Sequence, residues 1–308
     1  MKRLYASIVY RGDPSSPEAG DNLYVVDWDT HTVLARLLVT GSGGKVSVHS
    51  GIRTHGARGV AIAKDLLYVA GSSNIISVYR LGQTTPDYLT SFEIPGGCIH
   101  QIRFHDERLY VASAADDHLY VLRDDVVIEA IYLPDIVETS LLEPRLQPPF
   151  TTHPYGADRL HFNSLAWDAE GAMHHIYLGA NAVYDVTRRR LLPFGDALWG
   201  PHDLVFWNDW TVVNSSMDKS TIALTKNQRL RVIRKGYGNG TIEIGSGGDW
   251  GFARGMVEHQ ERLFCGSAPF HVHEFKQGTS GQTEHVISHE FINDTSAALY
   301  DFVFDPRD

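Results

Sequence analysis

The sequence predicts an all-β fold built from a repeated four-stranded unit, and three observations carry that prediction. Short alternating runs are rich in Tyr, Phe, Trp and Gly, with 14, 13, 6 and 28 copies in 308 residues, the composition of strands joined by tight turns. One strand–turn–strand pattern recurs along the chain. Its C-terminal copy supplies a strand that the N-terminal copy lacks.

Each element follows from that pattern. Ala57 to Gly71 reads as an apolar strand, a polar turn at Lys64-Asp65 and a second apolar strand, and Cys98 to Ser113 repeats it almost position for position. Further copies open at Phe162-Asn163-Ser164-Leu165, Pro201-His202-Asp203-Leu204 and Ala253-Arg254-Gly255-Met256. Third and fourth strand-like runs follow, as in His118 to Leu122 and Val126 to Leu133. Leu299 to Asp305 has the first-strand pattern without a second strand. Arg3 to Ser7, Asn22 to Asp27 and Thr32 to Leu38 match the second, third and fourth strands. Joining them closes a ring. Radial units of roughly 40 to 60 residues closed this way are blades of a β-propeller, which leaves few exposed sheet edges. The expectation is a six-bladed β-propeller, a single domain over 1–308, with the C-terminal strand completing the N-terminal blade.

Charge and cysteine content narrow the function. Lys and Arg number 27 against 37 Asp and Glu, a net charge of −10, and the only basic run is Arg188-Arg189-Arg190, so nucleic acid is excluded as a partner class. The N-terminal apolar run is short and lacks a cleavage site, so no secretion signal is expected. No stretch reaches the ~20 apolar residues of a membrane span, and no membrane partner is expected. The cysteines, Cys98 and Cys265, are too few for a disulfide framework and fall on opposite sides of the ring, which predicts reduced thiols and a cytoplasmic location.

In such a ring the first strand of every unit lines the central channel, and all start at one face. Aligning them gives one column, Arg58, His100, Asn163, His202, Arg254 and Tyr300, and a next column, Gly59, Gln101, Ser164, Asp203, Gly255 and Asp301. His161, two residues before Asn163, turns to the same side one step nearer the opening. Packing alone does not select polar side chains at one register position of every copy. Three long segments, Thr40 to Ala57, Pro134 to Leu160 and Lys235 to Phe252, are expected as loops over this mouth.

Neutral imidazoles of His100 and His202, with His161 as a third candidate, can hold a divalent metal, zinc first, and leave a position open for water or substrate. Arg58 and Arg254 can fork onto a carboxylate or polarise a carbonyl. Tyr300 or Asp203 can move a proton, and Asn163, Gln101 and Asp301 complete the expected substrate contacts. The same groups can also do no more than bond connecting loops and channel water.

Other motifs point elsewhere. Gly236 to Gly240 and Gly245 to Gly248 are glycine-rich but precede no helix, which predicts a lid and not a nucleotide loop. His271 and His273 face one side of a strand as ordinary strand residues, His174 and His175 point to opposite faces, and Arg188 to Arg190 form a solvated edge.

Gly200-Pro201-His202-Asp203-Leu204-Val205, and Gly59-Val60-Ala61-Ile62 leading to Leu67-Tyr68-Val69-Ala70, resemble the first strands of the six-bladed propeller superfamily of NHL-repeat and gluconolactonase-like proteins. The likeness covers most of the chain. Within it, the peptidylglycine amidating lyases hold zinc with first-strand histidines in Pro-His-Asp-Leu-like contexts, beside an arginine and a tyrosine. By that resemblance His202 matches fully and His100 by column, with Ile99 in place of the proline; Asn163 holds the third position and His161 is displaced. Gluconolactonase-like enzymes cage a divalent ion with carboxylate and asparagine side chains, a role open to Asn163, Asp203 and Asp301, although their first-strand glutamate is absent. The expected function is a lyase or hydrolase acting on a small anionic or carbonyl-bearing molecule at the mouth. The alternative is a non-catalytic ligand- or protein-binding propeller, because one architecture hosts both.

Overall fold

The computed structural model describes residues 1–11, 22–39, 47–49, 52–71, 73–146, 151–153, 156–234, 253–268, 270–278, 282–292 and 297–308. The predicted Gly-rich lid within Lys235 to Phe252 lies outside them. The chain folds as a β-propeller whose described strands form four separate four-stranded antiparallel sheets, a two-stranded pair and one nine-stranded sheet, in which a four-stranded run on Ala297–Phe304 and another on Ile52–Ala63 are joined through Arg3–Arg11. The inner strands of these four-stranded units are Ala297–Phe304, Ile52–Ala63, Ile99–His105, Phe162–Trp167, Pro201–Trp207 and Ala253–His259, numbered here as sheets one to six. These six strands neighbour one another in that cyclic order, with sheet six returning to sheet one.

Hydrophobic burial holds the ring together, one cluster per joint. Tyr5, Leu23 and Val25 of sheet one pack on Val60, Leu67 and Tyr79 of sheet two. Ala61, Tyr68 and Val78 meet Ile102, Leu109 and Val111 of sheet three, and Ala112, Leu119 and Val121 meet Phe162, Leu165 and Tyr177 of sheet four. Ile176 and Val183 pack on Leu204 and Val213, and Trp207 and Val212 on Met256, Leu263 and Phe275. The last joint places Phe264, Phe270 and Val272 of sheet six against Leu4, Ala6 and Phe302 of sheet one. Each fully buried side chain of this size contributes about 1.5–3 kcal/mol, so no joint depends on a single residue.

Sheet one is the composite that the sequence implied. Ala297–Phe304 pairs with Arg3–Arg11, followed outward by Leu23–Asp27 and Thr32–Leu37. Arg3 locks it, its Nε and Nη2 each donating to an Asp308 carboxylate oxygen at 2.7 Å. Arg3–Arg11 continues past its own sheet to pair Val9 with Gly56 and Tyr10 with His55 of sheet two.

Two segments expected as loops carry structure. The segment Pro134 to Leu160 carries the one-turn helix Leu133–Ile136 at its start, then the one-turn helix Thr139–Leu142, the turn Glu143–Arg145 and the paired strands Thr151–His153 and Gly156–Asp158. Apolar side chains account for the difference: Leu133, Val137 and Leu142 are buried in the cluster between sheets three and four. Within Thr40 to Ala57, Ser47–His49 pairs with the start of Ile52–Ala63. Among the described residues no helix is long and apolar enough to cross a membrane. Neither Cys98 nor Cys265 is in a disulfide, and both are buried.

Candidate functional site

The first column converges at the channel mouth as the register requires. Tyr300 of sheet one lies between two guanidinium groups, with Arg254 Cζ 4.6 Å and Arg58 Cζ 5.4 Å from its ring centroid. Its hydroxyl and His100 Nδ1 share a 2.6 Å hydrogen bond. The His100 ring meets His161 edge-on at 4.8 Å and stacks toward His202 at 6.5 Å. Arg58 Nη1 also donates to Cys98 Sγ at 3.0 Å. Asn163 is buried beside this group and donates from Nδ2 to the Pro201 carbonyl at 2.9 Å. None of the six column residues is acidic, and Arg58 and Arg254 bring positive charge and hydrogen-bond donors to the mouth.

Electrostatics follow from that crowding. Burial, reinforced by Arg58, His161 and Arg254, holds His100 well below the usual histidine range. Burial and the same two arginines push His161 down to about 3. Both imidazoles are therefore neutral at neutral pH. Burial pushes the Tyr300 phenol up while the arginines pull it the other way, and the net shift is upward. Tyr300 stays protonated and can donate.

The second column forms a belt immediately beneath. Asp301 of sheet one accepts from Arg103 of sheet three at 2.8 and 3.2 Å, from Val60 N of sheet two and from Phe302 N. Gln101 of sheet three accepts from Ser164 Oγ and Leu165 N of sheet four and donates to Asp203 of sheet five. Asp203 accepts in turn from Gly255 N of sheet six at 2.8 Å. Bonds between sheets one and three and between three and five connect non-neighbours, so they cross the axis. Burial and the nearby Asp301 raise the Asp203 carboxyl. Thus Arg58, His100, His161, Asn163, His202, Arg254 and Tyr300 meet at the mouth, whereas Gln101, Asp203 and Asp301 are bonded into the layer below.

Sequence reasoning missed three supporting residues. Asp158 binds His161 Nδ1 at 2.8 Å with both side chains buried, and the spacing of three in Asp158-Arg159-Leu160-His161 was the available signal. Asp117 accepts the backbone N–H groups of Arg159, Leu160 and His161, fixing His161 at φ 51°. Cys98, at φ 52°, occupies the same place before sheet three, where Gly56 and Gly200 also have positive φ. A side chain held in this left-handed region needs surrounding structure to maintain it. Arg103 was visible as the one charged residue where the other inner strands carry Ala61, Ala166, Val205, Val257 and Val303.

The metal expectation meets a specific test. His100, His161 and His202 each commit Nδ1, to Tyr300, Asp158 and the Gly200 carbonyl respectively, the way a metal ligand is oriented through its other nitrogen. Yet among the described residues no three His, Cys, Asp or Glu side chains come close enough to hold an ion. The minor motifs are ordinary strand residues. His174 Nδ1 bonds Ala172 O, His175 Nδ1 bonds the Tyr177 hydroxyl, His273 bonds Ser267 and Ser288, and Arg188 bridges Asp168 and Asp185 at the surface.

No protein-family model matches the chain, and no curated protein matches it. Solved structures do. The chain is similar to a structure from a nidogen/laminin complex at 12% identity and TM-score 0.60, covering 98% of this chain and 97% of that one. It is similar to a periplasmic gluconolactonase of Pseudomonas aeruginosa at 15% identity and TM-score 0.51, covering 95% and 84%. A putative 6-phosphogluconolactonase of Bacteroides fragilis matches at 12% identity and TM-score 0.52, covering 94% and 81%. At these identities the likeness is one of fold.

Proposed function

We propose that the channel mouth binds a small molecule through an anionic or carbonyl oxygen and acts on it as a hydrolase or lyase. The observation that carries this is Tyr300, hydrogen-bonded to His100 at 2.6 Å and flanked by the guanidinium groups of Arg58 and Arg254. Fixed donors in a site screened from water stabilise negative charge developing on a substrate oxygen, without reorganisation during the reaction. The Arg pair supplies those donors, and the Tyr300–His100 hydrogen bond supplies a route for one proton. Gluconolactonase among the similar folds is consistent with carbonyl chemistry at this place.

The test is a panel of small lactones, esters and carboxylate-bearing compounds followed by pH-indicator and product assays. Wild-type protein is expected to turn over at least one member, and Arg254→Ala or Tyr300→Phe to lose about 10²–10³-fold in rate. Variants as active as wild type would sink the proposal. A divalent ion, zinc first, belongs to it only through measurement: stoichiometric metal in purified protein, lost in His100→Ala and His202→Ala. The second reading is a non-catalytic ligand-binding propeller, because one architecture hosts both. Saturable binding at the mouth without turnover would select it.

A further inference from the structure

The channel has a second chamber on the far side of the belt, with a volume of about 400 Å³. Strand alternation presents Ala61, Ala166, Val205, Val257 and Val303 to it from five inner strands, and Arg103 from the sixth. These small side chains leave the axis open where the belt closes it. Ala166, Val205, Val257 and Val303 are part-exposed, so the chamber wall is apolar surface that nothing in the described chain covers. Trp167 stands nearby with its ring stacked on His105 at 4.2 Å. The volume falls in the range of small-molecule cavities.

Arg103 fixes the polarity of the floor. Its two terminal nitrogens grip Asp301, and Nη1 also reaches the Val60 and Ile102 carbonyls. Guanidinium has five N–H donors. Its Nε–H and the second Nη2 proton, on the other edge of the fork, meet no protein acceptor among the described residues. The side chain is 23% exposed and belongs to the chamber lining. Asp301 already neutralises the guanidinium, Asp203 lies close by in the belt, and Glu258 stands in the lining. A further anion would be repelled.

We propose that this chamber is a second binding site, separate from the mouth, for a compact neutral apolar molecule carrying one carbonyl oxygen. The oxygen takes the outer Arg103 edge and the apolar body fills the Ala/Val ring. Acetophenone, with benzoate as its anionic counterpart, tests this by calorimetry and ligand-detected NMR. Acetophenone is expected to saturate one site in wild-type protein. Ala166→Phe and Val205→Phe, each narrowing the chamber, are expected to weaken it at least about tenfold, and benzoate to bind at least about tenfold more weakly. Arg254→Ala at the opposite mouth leaves the affinity unchanged. The proposal is overturned if acetophenone does not saturate, if both folded Phe variants bind like wild type, if benzoate binds more tightly, or if Arg254→Ala abolishes binding.

Discussion

The mouth and the belt sit one residue apart on the same inner strands and treat polarity in opposite ways. In the belt, Gln101, Ser164, Asp203 and Asp301 are bonded to one another, to Arg103 or to neighbouring backbone. At the mouth, Asn163 Oδ1 and Arg254 Nε are buried without a hydrogen-bond partner among the described residues. Burying an unpaired polar atom costs about 1–3 kcal/mol, which a fold retains where a ligand supplies the missing partner. The belt satisfies its polar groups within itself, and the mouth leaves some of its own open to the ligand proposed for it.

The largest expected effect is therefore in the belt. Asp301→Ala strands the Arg103 guanidinium and removes the acceptor of two backbone N–H groups, and is expected to destabilise by about 3–5 kcal/mol in denaturant unfolding. Arg254→Ala at the mouth should change stability by less than about 1 kcal/mol, because among the described residues Arg254 makes no ion pair with a carboxylate. If the two substitutions cost the same, the division between layers fails.

The next test is Gly255→Ala. At φ 72° an added Cβ would sit 2.7 Å from the Phe302 ring, so a loss of about 1–3 kcal/mol in thermal or denaturant unfolding is expected.

A pH-dependent effect also separates the layers. His161 is held at about 3 in the folded protein against about 6.5 unfolded. Between those values the unfolded chain binds a proton that the folded chain refuses, so the contribution of His161 is neutral above about pH 6.5 and lowers stability progressively as pH falls toward 3. His161→Asn should flatten that decline in the denaturation midpoint. An unchanged slope would mean that His161 does not contribute to it.

The repeat made the fold and the mouth legible, because first-strand register brings Arg58, His100, Asn163, His202, Arg254 and Tyr300 to one level wherever the ring closes. The second column was read only halfway. Its residues alternate small and large, Gly59, Ser164 and Gly255 against Gln101, Asp203 and Asp301. A Cβ on Gly59 would lie 2.6 Å from Ile102 N and 3.0 Å from Gln101. That alternation marks a packed, cross-bonded layer, and it places Asp203 away from the proton-transfer position assigned to it. Partners such as Arg103 for Asp301 and Cys98 for Arg58 depend on side-chain reach between sheets, which no spacing within one strand encodes. The helices Leu133–Ile136 and Thr139–Leu142 were too short to leave a periodic signal.

Because Ala297–Phe304 pairs with Arg3–Arg11, the circle cannot shut until residue 304 has been synthesised. Until then the N-terminal hairpin travels with a naked flank, open to mispairing with any passing strand. A permuted gene that begins at residue 52 and links residue 308 to residue 1 would make this composite sheet from consecutive sequence, and should form fewer aggregates on refolding.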